Sequence, residues 1–295
     1  MRPPNRAFSN YLRQFFIYIR INDWLHTLGL AVLGITFYSY SSLFTPQALL
    51  ALIAALLYLA HGFSLNNYFD ITIDQYINKK FLPPDRMANK GFLALSYSLF
   101  LINCFIAYAI SIKVLYLVVL GSILTLIYSA PPWRLKKSTF LNILLNSAGF
   151  AVIFLIGFTS VSKVTTLAAL LMSVLFALVF IPLQIVHQIS HSEADKIENI
   201  LSIYNRYGPG PAIYLSIISL IVLILWSLLV GLLYRSYLSI FYLTSLFCFF
   251  FFYVLWRIKN SRQSYPEAAT ELRILLRKIC VLYGLIMILI FYFTK

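Results

Sequence analysis

The chain has 295 residues, is 61% hydrophobic and 11% charged, and has a mean hydropathy of +0.85. Soluble domains carry roughly a quarter charged residues, so a soluble globular fold is excluded. The net charge of +14 would suit nucleic acid in a soluble chain; in one this apolar it points to membrane orientation and to anionic lipid or substrate, and no nucleic-acid partner is expected.

The polar start, MRPPNRAFSN, has no apolar stretch of the kind a cleaved signal peptide needs. Residues 8–21 are aromatic with Arg13 and Arg20 interspersed. They predict an interfacial helix within a cytoplasmic N-terminal segment, 1–21. Apolar blocks of membrane length then follow at 24–41, 46–68, 91–112, 114–130, 140–160, 165–187, 211–233, 238–257 and 274–293. A helix needs roughly 20 apolar residues to cross hydrocarbon. The expected fold is therefore an all-α integral membrane domain, 1–295, with nine transmembrane helices around a central cavity. Pro182 is a candidate kink in the sixth span. Cys104, Cys248 and Cys280 lie in or beside apolar spans without a spaced pattern and read as packing residues.

With the N-terminus cytoplasmic, all Lys and Arg except Lys113, Lys163, Arg235 and Lys295 fall on the cytoplasmic side. The C-terminus is then outside. All nine acids share the cytoplasmic side. Loop length explains Glu267 and Glu271, but Asp70 and Asp74 continue an apolar helix.

Asn66, Asp70 and Asp74 recur at i, i+4 and i+8, one stripe on a helix. Oxygen ligands in a stripe suit Mg²⁺, which usually takes one or two carboxylates, waters and substrate phosphates. The bland alternative is a helix end fraying into water; ionisable groups at the end of a span favour function. Four spans later His187, His191 and Asp195 repeat the spacing. This predicts two four-helix repeats plus one extra helix, with facing stripes able to hold two metals and a diphosphate. Packing is the favoured reading for His187; for His191 packing and function weigh evenly.

Basic groups follow each stripe. Lys79, Lys80 and Arg86 come after the first, and Arg134, Lys136 and Lys137 end the fourth span behind Pro131 and Pro132. They are candidate diphosphate ligands; positive-inside anchoring is the competing reading. His61, Tyr128, Asn146 and His187 are candidate cavity residues, with core packing favoured for His61 and interhelical bonding favoured for Asn142 and Asn146. Aromatic residues in the cavity would stabilise an allylic cation through their π faces.

These motifs resemble a known family. Asn66-Asn-Tyr-Phe-Asp70-Ile-Thr-Ile-Asp74 is similar to the first Asp-rich signature, N-D-x-x-D-x-x-x-D, of the UbiA superfamily of intramembrane prenyltransferases, with Asn67 in place of the second-position Asp. Asn78-Lys-Lys-Phe-Leu-Pro-Pro-Asp-Arg86 resembles its basic, Pro-containing loop, and Tyr128-Ser-Ala-Pro-Pro-Trp-Arg134-Leu-Lys136-Lys137 its fourth-helix exit. The helix count and the four-plus-four repeat fit as well. The second signature departs: His191 stands where D-x-x-x-D has its first Asp, and Asp195 keeps the second. Imidazole suits softer metals than Mg²⁺.

The resemblance implies Mg²⁺-dependent transfer of a polyprenyl group from a polyprenyl diphosphate to a small acceptor. The expected acceptor is an aromatic ring in lipid-quinone biosynthesis. Asp70, Asp74, Asp195 and His191 become the implied catalytic residues, with Asn66, Asp70, Asp74 and Asp195 on the metal. Lys79, Arg86, Arg134, Lys136 and Lys137 are implied on the diphosphate. His191 leaves three readings open: a metal held mainly by Asp195, a hydrogen-bond or base role for His191, or altered activity. A silent isoprenoid binder and a transporter are the rival classes; polar residues at the helix ends rather than mid-membrane argue against transport.

Overall fold

The computed structural model describes residues 16, 19–76, 86–197, 199–234 and 237–294. Most of the interfacial helix expected at 8–21 lies outside them. A short helix α1 (Ile21–Trp24) passes through a 3-10 turn (Leu25–Leu28) into α2 (Gly29–Tyr38). Then come α3 (Pro46–Tyr76), α4 (Arg86–Ile110), α5 (Ile112–Ser129), α6 (Leu141–Val161) and α7 (Leu167–Ser190). Two short helices, α8 (Ser192–Ile197) and α9 (Ile203–Tyr207), precede α10 (Pro209–Leu233), α11 (Leu238–Lys259) and α12 (Tyr265–Phe293). Among the described residues there is no strand.

Eight of these, α3 to α7 and α10 to α12, are long and apolar enough to cross a membrane. Because a helix bonds its interior backbone groups within itself, they meet the bilayer's main demand. Exposed Phe105, Phe249 and Leu232 cover the outside of the bundle, as lipid contact requires. The chain is an integral membrane protein.

The first expected span, 24–41, is broken up. Thr27 Oγ1 donates to the Trp24 carbonyl at 2.6 Å, a local bond that competes with the regular helical ladder. The 3-10 turn follows, and α2 retains ten residues. Elsewhere the apolar blocks become helices, with three longer than expected. The third element, α3, continues to Tyr76, and α4 begins at Arg86. The last helix starts at Tyr265 rather than 274. Ser264 and Glu267 form a capping box there, with Pro266 in the first turn. Ser111 and Thr166 cap α5 and α7 by accepting from Val114 N–H and Ala169 N–H, both at 3.2 Å. Helix α7 runs through Pro182 without ending. The three cysteines are free.

Helices α3, α4 and α5 pack together, as do α7, α10, α11 and α12; α6 joins α3 and α5 to α7. Helix α2 closes the ring between α6 and α12. Its contact with α6 is backbone against backbone. A methyl group at Gly34 would overlap the Phe154 carbonyl, and one at Gly157 the Ala31 carbonyl. Small residues of this kind let membrane helices approach closely.

Candidate active site

Helix α3 carries the first stripe. Asn66 and Asp70 sit one turn apart on it, and Asp70 is buried at 6% exposure. Two cations from the α5–α6 connection reach that carboxylate. Arg134 Nη2 donates to Asp70 Oδ1 at 3.0 Å and to the Phe69 carbonyl at 3.2 Å. Lys136 Nζ donates to the same Oδ1.

The connection is shaped for this. It leaves α5 through a cis Pro131–Pro132 bond. Arg134 has φ 37°, in the left-handed region that L residues rarely adopt. The Arg134 N–H bonds the Ala130 carbonyl at 2.8 Å, and a 3-10 turn, Leu135–Lys137, follows. Asn142 Nδ2 then donates to the Lys136 carbonyl at 2.7 Å, tying the turn to α6. Lys136 is 4% exposed. A lysine buried this deeply needs a charged partner, and Asp70 is that partner.

Above the cluster lies a cavity of about 450 Å³. Helix α3 lines it with Leu59, Gly62, Phe63 and Asn66, the i, i+3, i+4, i+7 stripe that Asp70 extends by one more turn. Asn66 Oδ1 accepts from Ser129 Oγ at 3.1 Å. Tyr128 Oη donates to Asn142 Oδ1 at 3.4 Å and accepts from Asn146 Nδ2 at 3.3 Å. The apolar wall includes Phe150 and Phe180, stacked with centroids 3.7 Å apart and 18° between planes. One end of the cavity is thus polar, and the other offers π faces.

The second stripe reaches the same cavity. His191 closes α7, and the bonds His191 N–H to His187 carbonyl (3.1 Å) and Asp195 N–H to His191 carbonyl (2.9 Å) carry helical register into α8. His187 and His191 face each other with ring centroids 4.4 Å apart. Between them stands Arg273 of α12. Its Nη1 lies 3.0 Å from His187 Nδ1 and 2.5 Å from His191 Nε2. Arginine has donors only, so both ring nitrogens accept. Each imidazole lone pair at this point is used by the guanidinium.

The two stripes differ as metal sites. Asn66 and Asp70 offer oxygen alone, and both cations on Asp70 use Oδ1; this donor set suits a hard divalent cation. The imidazoles, committed to Arg273, do not. Among the described residues no three His, Cys, Asp or Glu side chains converge as a metal cluster.

Of the residues singled out in the sequence, Asn66, Tyr128, Asn146, His187 and His191 line the cavity. Asp70, Arg134 and Lys136 form the ion cluster, with half-buried Lys137 on the same turn. Lys79 lies outside the described residues, as do the side chains of Asp74 and Arg86. Asp195 is half-buried in α8 and does not line the cavity. His61 does not line it either. Its Nδ1 is 3.0 Å from the Ser96 carbonyl and 3.1 Å from Ser96 Oγ, a buried link from α3 to α4.

Sequence reasoning missed Arg20, Asp23, Arg273 and Arg277, all on the cavity wall. The signal for the α12 pair was present. The capping box at Ser264 starts the helix early enough to place Arg273 and Arg277 one turn apart on one face.

Comparison with known proteins bears on the fold and the family. A model of the UbiA prenyltransferase family matches residues 27–277. A solved structure concerning digeranylgeranylglyceryl phosphate synthase in membranes superposes with a TM-score of 0.74 at 18% identity, covering 95% of this chain and 98% of that one. A UbiA homologue from Archaeoglobus fulgidus bound to DMAPP and Mg²⁺ gives 0.74 at 17% identity, covering 93% and 99%. The apo UbiA homologue from Aeropyrum pernix K1 gives 0.69 at 18%, covering 90% and 98%. No curated protein sequence matches the chain. At such identities the superpositions establish the fold. The match of the family model over most of the sequence goes further: the chain belongs to the UbiA prenyltransferase family.

Proposed function

We propose that this protein transfers a polyprenyl group from a polyprenyl diphosphate to a small acceptor, with magnesium. The observation that carries the reading is Asp70. It is a buried carboxylate, clamped by Arg134 and Lys136, one helical turn beyond Asn66, which lines a cavity with an aromatic side. The A. fulgidus homologues bound to DMAPP or GPP and Mg²⁺ support it.

Asn66, Asp70 and Asp74, with Asp195 from the second stripe, would hold the magnesium. When bound, the metal supplies positive charge to the leaving diphosphate. Arg134 and Lys136 orient Asp70 and set two further positive charges beside the stripe. Lys79, Arg86 and Lys137 are proposed to add to them. The allylic C–O bond breaks and its electron pair leaves with the diphosphate oxygen. Cations fixed in a low-dielectric site favour that charge more in the transition state than before it. Phe150 and Phe180 face the resulting allylic cation, and the apolar wall keeps water from it. The acceptor's nucleophilic carbon or oxygen bonds to the cation and loses its proton.

The acceptor we propose is an aromatic ring of a lipid-quinone precursor, for which the cavity offers a flat aromatic wall. The segmented element from α1 to α2 is proposed to complete a ninth span. The spacing shared by 66–74 and 187–195 supports two four-helix repeats with α12 extra. The basic residues near both stripes support a cytoplasmic site and N-terminus, with the C-terminus outside.

The test is diphosphate release from a radiolabelled polyprenyl diphosphate by the purified protein, with pooled acceptors and with or without magnesium. Magnesium-dependent release, with label moving into a new lipid and absent in Asp70→Asn/Asp74→Asn, is expected. Binding of the diphosphate without release under any acceptor or metal would instead identify a silent isoprenoid binder.

A further inference from the structure

The cavity's polar end has more positive than negative charge. Arg20, Arg273 and Arg277 line it, against the single carboxylate of Asp23. That carboxylate is already shared. Arg20 Nε lies 2.8 Å from Asp23 Oδ2, and Arg277 Nη2 3.9 Å from Oδ1. Arg273 makes no ion pair among the described residues. Its contacts are the two imidazoles and, at 3.5 Å, Ser190 Oγ, all through Nη1. The remaining guanidinium N–H groups keep their donor capacity at the cavity wall. Two neutral acceptors fix the group without cancelling its charge, which a carboxylate at either position would do.

We propose that Arg273, held by His187 and His191, binds an anionic oxygen group of a substrate directly, where a second acidic stripe would hold a metal ion. His187 and His191 are its positioning residues. The ligand chemistry is a phosphate or carboxylate, carried by either the prenyl diphosphate or the acceptor. Guanidinium forks match both groups. The substitution of His191 for an acid thus exchanges a metal for a covalently attached cation.

The inference rests on the proposed prenyl transfer, but its test needs no turnover. The purified full-length chain is titrated calorimetrically in EDTA with inorganic pyrophosphate, and separately with 4-hydroxybenzoate as an aromatic carboxylate. At least one of the two is expected to bind. Arg273→Gln is expected to weaken that anion about tenfold or more, Arg273→Lys less so. His191→Asp is expected to weaken it as well, by pairing with Arg273. Pyrophosphate dependence assigns the site to the diphosphate, and 4-hydroxybenzoate dependence assigns it to the acceptor; both support the proposal. Anion affinity unchanged in Arg273→Gln and in His191→Asp overturns it. If Arg273→Gln fails to fold, the His191→Asp result decides. Manganese bound per chain in the presence of pyrophosphate, counted by EPR, should not exceed one; two per chain would also overturn it. A chain that binds an anion through Arg273 yet transfers no prenyl group would defeat the proposed function alone.

Discussion

The ends of α3 and α7 carry the same spacing and opposite chemistry. At the α3 end a buried acid is held by two bases, Arg134 and Lys136. At the α7 end a base is held by two imidazoles, His187 and His191. Helical periodicity fixes where side chains lie and says nothing of their charge. In the proposed function one end gathers oxygen for a hard cation, and the other presents a cation of its own. The contrast shows how two helix ends of matching spacing can carry unlike groups close to one cavity.

Removing the acid is the most direct way to break the contrast. Asp70→Asn keeps the shape and loses the charge. Transfer is expected to fall by on the order of 10²- to 10³-fold in kcat, as for loss of one preorganised electrostatic group. Steady-state assays with saturating prenyl diphosphate measure this, and activity within a few-fold of wild type would remove Asp70 from the mechanism. Removing a base from the same cluster tests stability instead. Lys136→Met leaves Asp70 buried with Arg134 alone, at a cost of about 3 kcal/mol. A thermal melt in detergent should show a clear drop, and Asp70→Asn/Lys136→Met should recover part of it. An unshifted melt would mean that the pair is not buried in solution.

A smaller effect tests the frame that holds both ends in register. Gly157→Ala puts a methyl against the Ala31 carbonyl and must separate α2 from α6. Overpacking of this kind costs about 1–3 kcal/mol. The melting temperature should fall while the substrate KM stays near wild type, and a more stable variant would contradict the close approach. Tyr128→Phe removes a hydroxyl that bridges Asn142 and Asn146. It should cost about 0.5–1.5 kcal/mol, the net worth of an ordinary hydrogen bond. A loss of transfer above about a hundredfold, or some 2.7 kcal/mol, would instead give Tyr128 a part in the chemistry.

The apolar blocks made most of the helices legible, because hydrocarbon length and a 3.6-residue period leave few alternatives. The one-turn register of Asn66 with Asp70, and of His187 with His191, was legible for the same reason. What escaped was contact between distant parts of the chain. Nothing local in the sequence tells that Arg273 meets His191, since the pair is 82 residues apart. His61 was named with the cavity because it shares α3 with Asp70; only the packing of α4 shows that it turns to Ser96. The break near Thr27 was hidden in a block whose average hydropathy looked continuous. The early start of α12 was written in Ser264, Pro266 and Glu267 but sat inside an apparently polar loop.

The glycine contact between α2 and α6 has a consequence for traffic. Where two backbones touch, no acyl-like chain can slip between them. The crossing at Gly34 and Gly157 therefore leaves no gap there for a chain arriving from the surrounding lipid. A long hydrophobic substrate of the proposed kind, coming sideways out of the bilayer, would have to reach the cavity away from this crossing.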